Sequence, residues 1–185
     1  MKPKYKLYVK EDIRLVNPLL YNITGENGEL LCRIEGWNGN HGSGSEYRLL
    51  NGDFSDAGST YRTFGGSSSY ATIFGMVVSG SPIAYRVFLN DFKKEVRYNP
   101  SITGGTYTIE DINMRVDALL QDVFWLYDGE KEIAKMKRKW FHVRKTYVIS
   151  VYDENIPMDT VMGAYIGVLA IIGDQKGREY NHYHH

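Results

Sequence analysis

Fourteen consecutive residues late in the chain, Thr160 to Gly173 (TVMGAYIGVLAIIG), carry no charged side chain and no turn signal other than glycine. Pro157 and Asp159 precede the run, and both residue types suit a helix start. Gly173, followed by the polar DQKGRE, suits a helix end. The expected element is a helix over about 158–173, with a polar tail over 174–185. A helix that is apolar on every side is either wrapped by protein or inserted in lipid. Fourteen residues rise only about 21 Å, short of the roughly 30 Å hydrocarbon core of a bilayer. Length therefore favours a core helix built on Met162, Gly163, Tyr165, Ile166, Gly167, Leu169 and Ile172. Membrane insertion and a pair of strands are the alternatives. Gly163 and Gly167, four apart, permit close helix dimerisation in a membrane. Inside a barrel, the same small residues make room for side chains pointing in from the strands.

The rest of the chain supplies the wrapping. Hairpin-like units recur: Tyr21 to Gly36 turning at Glu26-Asn27-Gly28, a second from Tyr47 turning at Asn51-Gly52, Tyr85 to Asn99 turning at Asn90-Asp91, and Phe124 to Trp140 turning at Asp128-Gly129. Asn-Gly and Asp-Gly supply the positive φ angles of tight hairpin turns. In the last unit Ala134, Met136 and Trp140 share one face while Lys135, Lys137 and Lys139 share the other, and Arg138 falls on the apolar face. Thr106 to Ile112 and Thr146 to Tyr152 read as further strands. Gly36 to Ser45 and Asp53 to Ser69, rich in Gly and Ser, read as long loops or hairpin tips rather than domain linkers. The chain holds 15 tyrosines and 19 glycines, which suit pleated surfaces and turns respectively. Many short antiparallel strands of irregular spacing suggest a barrel or sandwich rather than a solenoid.

A chain of 185 residues favours a single domain, here 1–185, able to bury a core without staples. Its 22 basic residues balance 22 acidic ones, so no global field gathers nucleic acid, and an electrostatic partner must be held by a local patch. Cys32 is the sole cysteine, which rules out an internal disulfide and a cysteine-based metal site. The N-terminus (MKPKYKLYVKEDIRL) lacks the apolar stretch of a secretory signal, and the expected location is cytoplasmic. Asn22-Ile23-Thr24 matches a glycosylation acceptor, a weak signal in that context.

The order FWLYDGEKEIAKMKRKWF, then KTYVISVYDEN, then VLAIIGD, from Phe124 to Asp174, resembles the ending of LURP-one-related proteins of the tubby-like family. The early unit ITGENGELLCRIEG resembles the first hairpin of that family, whereas Gly36 to Ser81 departs from its compact hairpins. The resemblance implies a mainly β fold: a closed antiparallel β-barrel of about twelve strands around a central hydrophobic C-terminal α-helix. It also implies kinship with tubby C-terminal domains, which bind phosphoinositides, and with phospholipid scramblases.

The strongest candidate site is the basic run KMKRKWFHVRK. Lys135, Lys137, Arg138, Lys139, Arg144 and Lys145 have no acid among them, and Trp140 follows the lysines directly. Such a run can hold anionic headgroups, and its aromatics can sit at a membrane interface. Lysines on a strand face also block edge-to-edge pairing, which is the plainer account. In YDENIPMD, Asp153, Asn155 and Asp159 offer oxygen ligands to calcium, but the spacing is not that of an EF-hand loop. His182, His184 and His185 read as a tail, while His41 and His142 stand apart from any nucleophile pattern. No Gly-x-Ser-x-Gly or phosphate-loop pattern is present. The expectation is a non-catalytic binding domain without a cofactor, peripheral to the inner face of the membrane, whose partner is an anionic lipid headgroup. The alternatives are a barrel with an unknown protein partner and a scramblase-like membrane protein.

Overall fold

Among the described residues, alternation of apolar and polar side chains produces fourteen strands, followed by one helix. The computed structural model describes residues 1–14, 17–37, 46–65, 69–73, 76–80, 82–101, 104–119, 122–139 and 146–182. The strands are β1 (Tyr5–Arg14), β2 (Asn17–Thr24), β3 (Leu30–Trp37), β4 (Glu46–Asn51), β5 (Asp56–Gly65), β6 (Ser69–Ile73) and β7 (Met76–Gly80). They continue with β8 (Ile83–Leu89), β9 (Phe92–Ser101), β10 (Gly104–Ile109), β11 (Met114–Leu119), β12 (Val123–Asp128), β13 (Lys131–Lys139) and β14 (Thr146–Val151), and the helix is α1 (Met158–His182). Twelve strands close into a barrel in the order β1-β14-β13-β12-β11-β10-β9-β8-β5-β4-β3-β2, and β6 and β7 pair as a separate two-stranded ribbon. Every pairing is antiparallel, and β1 closes the ring on β14 with Leu7 opposite Ile149.

The expected helix lies in the bore of the barrel. Residues 161–174 are all buried, one after another around every face of α1. Each large aliphatic side chain among them contributes roughly 1.5–3 kcal/mol by leaving water. The sheath touches α1 from several sides. A Cβ on Gly163 would collide with the Phe92 ring of β9, and one on Gly167 would lie 2.5 Å from Val96 Cγ2. The Tyr165 hydroxyl donates to the Phe124 carbonyl of β12 at 3.2 Å. Asn90 Nδ2 donates to Asp159 at the start of the helix, while Arg62 Nη1 reaches Asp174 at 3.2 Å one barrel-length further on. Inward aromatics line much of the ring: Tyr98 lies 4.9 Å from Tyr107, Tyr107 6.3 Å from Phe124, and Phe124 6.5 Å from Tyr147.

Strand pairs stand at all four places the sequence indicated, β2–β3, β4–β5, β8–β9 and β12–β13, but in the second turn the left-handed residue is Phe54 (φ 65°) instead of Asn51 or Gly52, and in the fourth Asp128 still pairs with Lys131. Gly28 and Gly129 have φ of 82° and 56°, and Asn90 takes the left-handed region at 50°. Other expectations are corrected as well. The helix does not stop at Gly173 but runs to His182. Gly173 does not adopt positive φ, Asp174 is anchored by Arg62, and Gln175, Lys176, Arg178 and Glu179 are good helix formers. The segment from Asp53 to Ser69, expected as a long loop or hairpin tip, holds β5 over Asp56–Gly65. Gly58 there serves close approach: its φ is 139°, and a side chain would meet the Phe88 carbonyl. The expected loop from Gly36 to Ser45 begins inside β3, and its remainder lies outside the described residues. The expected strand Thr106 to Ile112 is displaced to Gly104–Ile109.

Because the Gly167 backbone sits against β-branched Val96, Gly167→Ala forces overpacking, a cost of about 1–3 kcal/mol. That outweighs the helix-propensity gain of about 1 kcal/mol. The variant is expected to unfold at lower urea concentration than the parent, and an unchanged or higher midpoint would contradict close packing at this position.

Candidate functional site

Strand pairing builds a face that no single segment contains. On β13, Ala134 and Met136 point into the core, so Lys135, Lys137 and Lys139 point out. A register shift against β12 leaves Ile133 and Ala134 both buried, which restores the alternation that carries the lysines outward. On β14, Tyr147, Ile149 and Val151 are buried, leaving Val148 and Ser150 on the outer side; Thr146 shares that side by alternation but is itself covered. On β1, Leu7 and Val9 are buried, leaving Lys6, Tyr8 and Lys10 outside.

Register then sets three rows across β1, β14 and β13. These are Lys6–Ser150–Lys135, Tyr8–Val148–Lys137 and Lys10–Thr146–Lys139. Strand spacing puts the two lysine columns about 10 Å apart, and each column extends about 14 Å along its strand. Lys135 Nζ lies 5.0 Å from the Trp125 ring centroid, and Lys139 Nζ reaches across β14 to lie 5.7 Å from that of Tyr8. These cation–π contacts hold the long side chains in place without neutralising them. Lys10, Lys137 and Lys139 are exposed, and Lys6 and Lys135 are half-buried.

Elsewhere most of the described cations are matched, Lys2, Arg48 and Lys93 excepted. Arg33 pairs with Glu35 at 2.7 Å, Arg86 with Glu110 at 2.8 Å, Arg97 with Glu95 at 2.9 Å and Arg115 with Asp117 at 3.3 Å. Lys4 and Lys131, at the edge of the face, are taken by Glu154 and Asp153. Among the described residues, Lys6, Lys10, Lys135, Lys137 and Lys139 form no ion pair.

The sequence run is therefore divided. Arg138 sits opposite Tyr147 on the inner side and lies 3.7 Å from Asp122 at the barrel mouth, away from the lysines. Trp140, Arg144 and Lys145 lie outside the described residues. Sequence reasoning missed Lys6, Lys10, Tyr8 and Trp125. The alternation Tyr5-Leu7-Val9 against Lys6-Tyr8-Lys10 was the available signal for an N-terminal strand, but nothing local says that it pairs with β14.

The acidic candidates have partners within the protein. The Asp153 carboxylate accepts from Lys131 and from the backbone and side chain of Asn155, and these bonds hold it below the usual carboxylate range. Asp159 is engaged by Asn90. Among the described residues no three His, Cys, Asp or Glu side chains gather as a metal site. An open groove of about 450 Å³ over β4 and β5 is lined by Glu46, Arg48, Asp56 and Ser59, which mix both signs of charge. No helix among the described residues is long and apolar enough to cross a membrane.

Inside the barrel, burial governs the titratable groups. It pushes the Cys32 thiol up to about 12, with the Asp159 charge adding to the shift. It raises Tyr147 to about 12 as well, and lifts Tyr21, Tyr107 and Tyr165 above the ordinary tyrosine value. All these groups are neutral when protonated, so the fold favours their protonated forms. Their contribution is complete below the unfolded values, about 8.5 for Cys and 10 for Tyr, and is lost as pH rises through the folded ones. The urea midpoint is expected to fall steadily from about pH 9 to 12, with tyrosinate absorbance from the buried rings appearing only as structure is lost. Tyrosinate formation by those rings in the intact fold near pH 10 would contradict it.

Comparisons with protein-family models, curated proteins and solved structures give no match to this chain.

Proposed function

We propose that this chain is a non-catalytic binding barrel of the LURP-one-related, tubby-like class that attaches peripherally to anionic lipid on the inner, cytoplasmic face of a membrane. The observation that carries the reading is the lysine face: five cations on β1 and β13, on either side of β14, without an ion-pair partner among the described residues, on a chain whose net charge is zero. Such a field attracts an anionic surface even though the whole molecule does not. The class assignment draws support from the twelve-strand barrel closed around a C-terminal helix, the architecture that the resemblance implies. The bore is occupied by α1, which leaves the outer wall as a place for a large partner.

Magnitudes fit reversible attachment. A lysine near an anionic leaflet contributes about 1 kcal/mol, so five give about 5 kcal/mol, an affinity weaker than about 0.1 mM. Trp125 and Tyr8 beside the lysines add rings of the kind that settle at the headgroup level. Salt screens exposed charges, so the attachment weakens as ionic strength rises.

Sedimentation with vesicles tests this. Binding is expected to phosphatidylserine-containing vesicles and not to pure phosphatidylcholine, and to decline between low and physiological salt. The double variant Lys137→Glu/Lys139→Glu, on exposed positions, is expected to retain the circular dichroism of the parent and to lose most vesicle binding. Equal binding to neutral and charged vesicles, or binding to neither, removes the lipid reading.

A further inference from the structure

The shape and donor chemistry of the lysine face bear on how such a partner is recognised. The face lies on the outer wall of a closed barrel, so it is convex across β1, β14 and β13. Its lysine columns are separated by a strand whose residues on that side, Thr146, Val148 and Ser150, are uncharged. The backbone offers nothing further. Each of the three strands is hydrogen-bonded on both sides, β1 to β2 and β14, β14 to β1 and β13, and β13 to β14 and β12. Ladder N–H groups in a doubly paired strand are not available to wrap a phosphate.

The side chains are equally unselective. Among the described residues every cation on the face is a lysine, and the one arginine of β13 is turned inward beside Asp122. An ammonium is a compact point charge with rotatable donors, whereas a guanidinium presents a fixed fork that reads the geometry of an oxyanion. Lys139 is drawn towards Tyr8 and Lys135 towards Trp125, so neighbouring ammonium groups on β13 are held over different rings instead of closing on one point.

We infer that this face reads the charge density of an anionic bilayer and does not select among headgroups, the barrel lying on its side with the β1-β14-β13 wall against the membrane. The inference rests on the lipid reading above and specifies it. A flat, laterally fluid surface supplies a counter-charge to each lysine wherever it points, which a single soluble polyanion held on a convex wall does not.

The experiment uses the full chain and vesicles adjusted to equal zeta potential with phosphatidylserine, phosphatidylglycerol or phosphatidylinositol bisphosphate. Binding curves are expected to coincide within about twofold, a spread of less than about 0.5 kcal/mol. Single Lys→Gln changes at positions 6, 10, 135, 137 and 139 are each expected to weaken binding by a similar factor, about fivefold. Inositol hexakisphosphate is expected to give no saturable one-to-one titration with the free protein. A tenfold preference for one lipid at matched potential, a loss concentrated in one or two lysines, or stoichiometric binding of inositol hexakisphosphate overturns the inference while leaving lipid attachment intact. Absence of binding to every charged vesicle overturns the lipid reading itself, and the inference with it.

Discussion

Enclosure of an all-round apolar helix is the constraint on which this structure depends. From Val161 to Asp174 α1 has no face suited to water. A two-layer packing would leave one side of it wet, so the sheet has to go all the way round. Closure also removes the edge strands that a sheet of this width would otherwise present. The fit is adjusted by absence of side chains: at Gly163 and Gly167 the helix backbone comes close enough to β9 for Phe92 and Val96 to take the room. Polar ties then fix its axial position, at Asn90–Asp159 near one end and Arg62–Asp174 near the other. The second tie is an ion pair in which Asp174 is only 8% exposed, so loss of either partner leaves a poorly solvated charge.

Filling the bore sends chemistry outward. Barrels commonly bind ligands in their mouths or cavities, but here the interior holds a helix and inward aromatics such as Tyr85, Tyr107 and Tyr147. What distinguishes one part of the wall from another is charge bookkeeping. Over most of the outer surface the cations are paired with acids on the same or neighbouring strands, and such pairs contribute little net field. Across β1, β14 and β13 the pairing lapses, and an electrically neutral protein acquires a positive side.

The helix was the most legible element, because fourteen uncharged residues bounded by Pro157 and Gly173 admit few alternatives. Its end was misjudged because glycine is a stop only where the backbone turns left-handed, which Gly173 does not do. Hairpins were legible where Asn-Gly or Asp-Gly marks the turn. β5 was hidden because Gly58 and the serines around it resemble a loop by composition, although the glycine is there to let β5 approach β8. For the site, the β13 lysines could be found by alternation alone. The other column could not: Lys6 and Lys135 lie far apart in the chain and become neighbours only through the β1–β14 closure, a fact of topology that local pattern does not carry.

That closure has a bearing on how the protein comes into being. The seam joins the earliest strand to the latest, and the helix that fills the bore is made after both. Until α1 is made, inward side chains of the barrel strands before it, such as Val9, Ile23, Leu49, Tyr85 and Tyr107, lack the helix that fills the bore. Closing the barrel thus depends on contacts between residues far apart in the chain, the kind that slows folding. Apolar side chains left uncovered in the meantime are the kind of surface that favours aggregation.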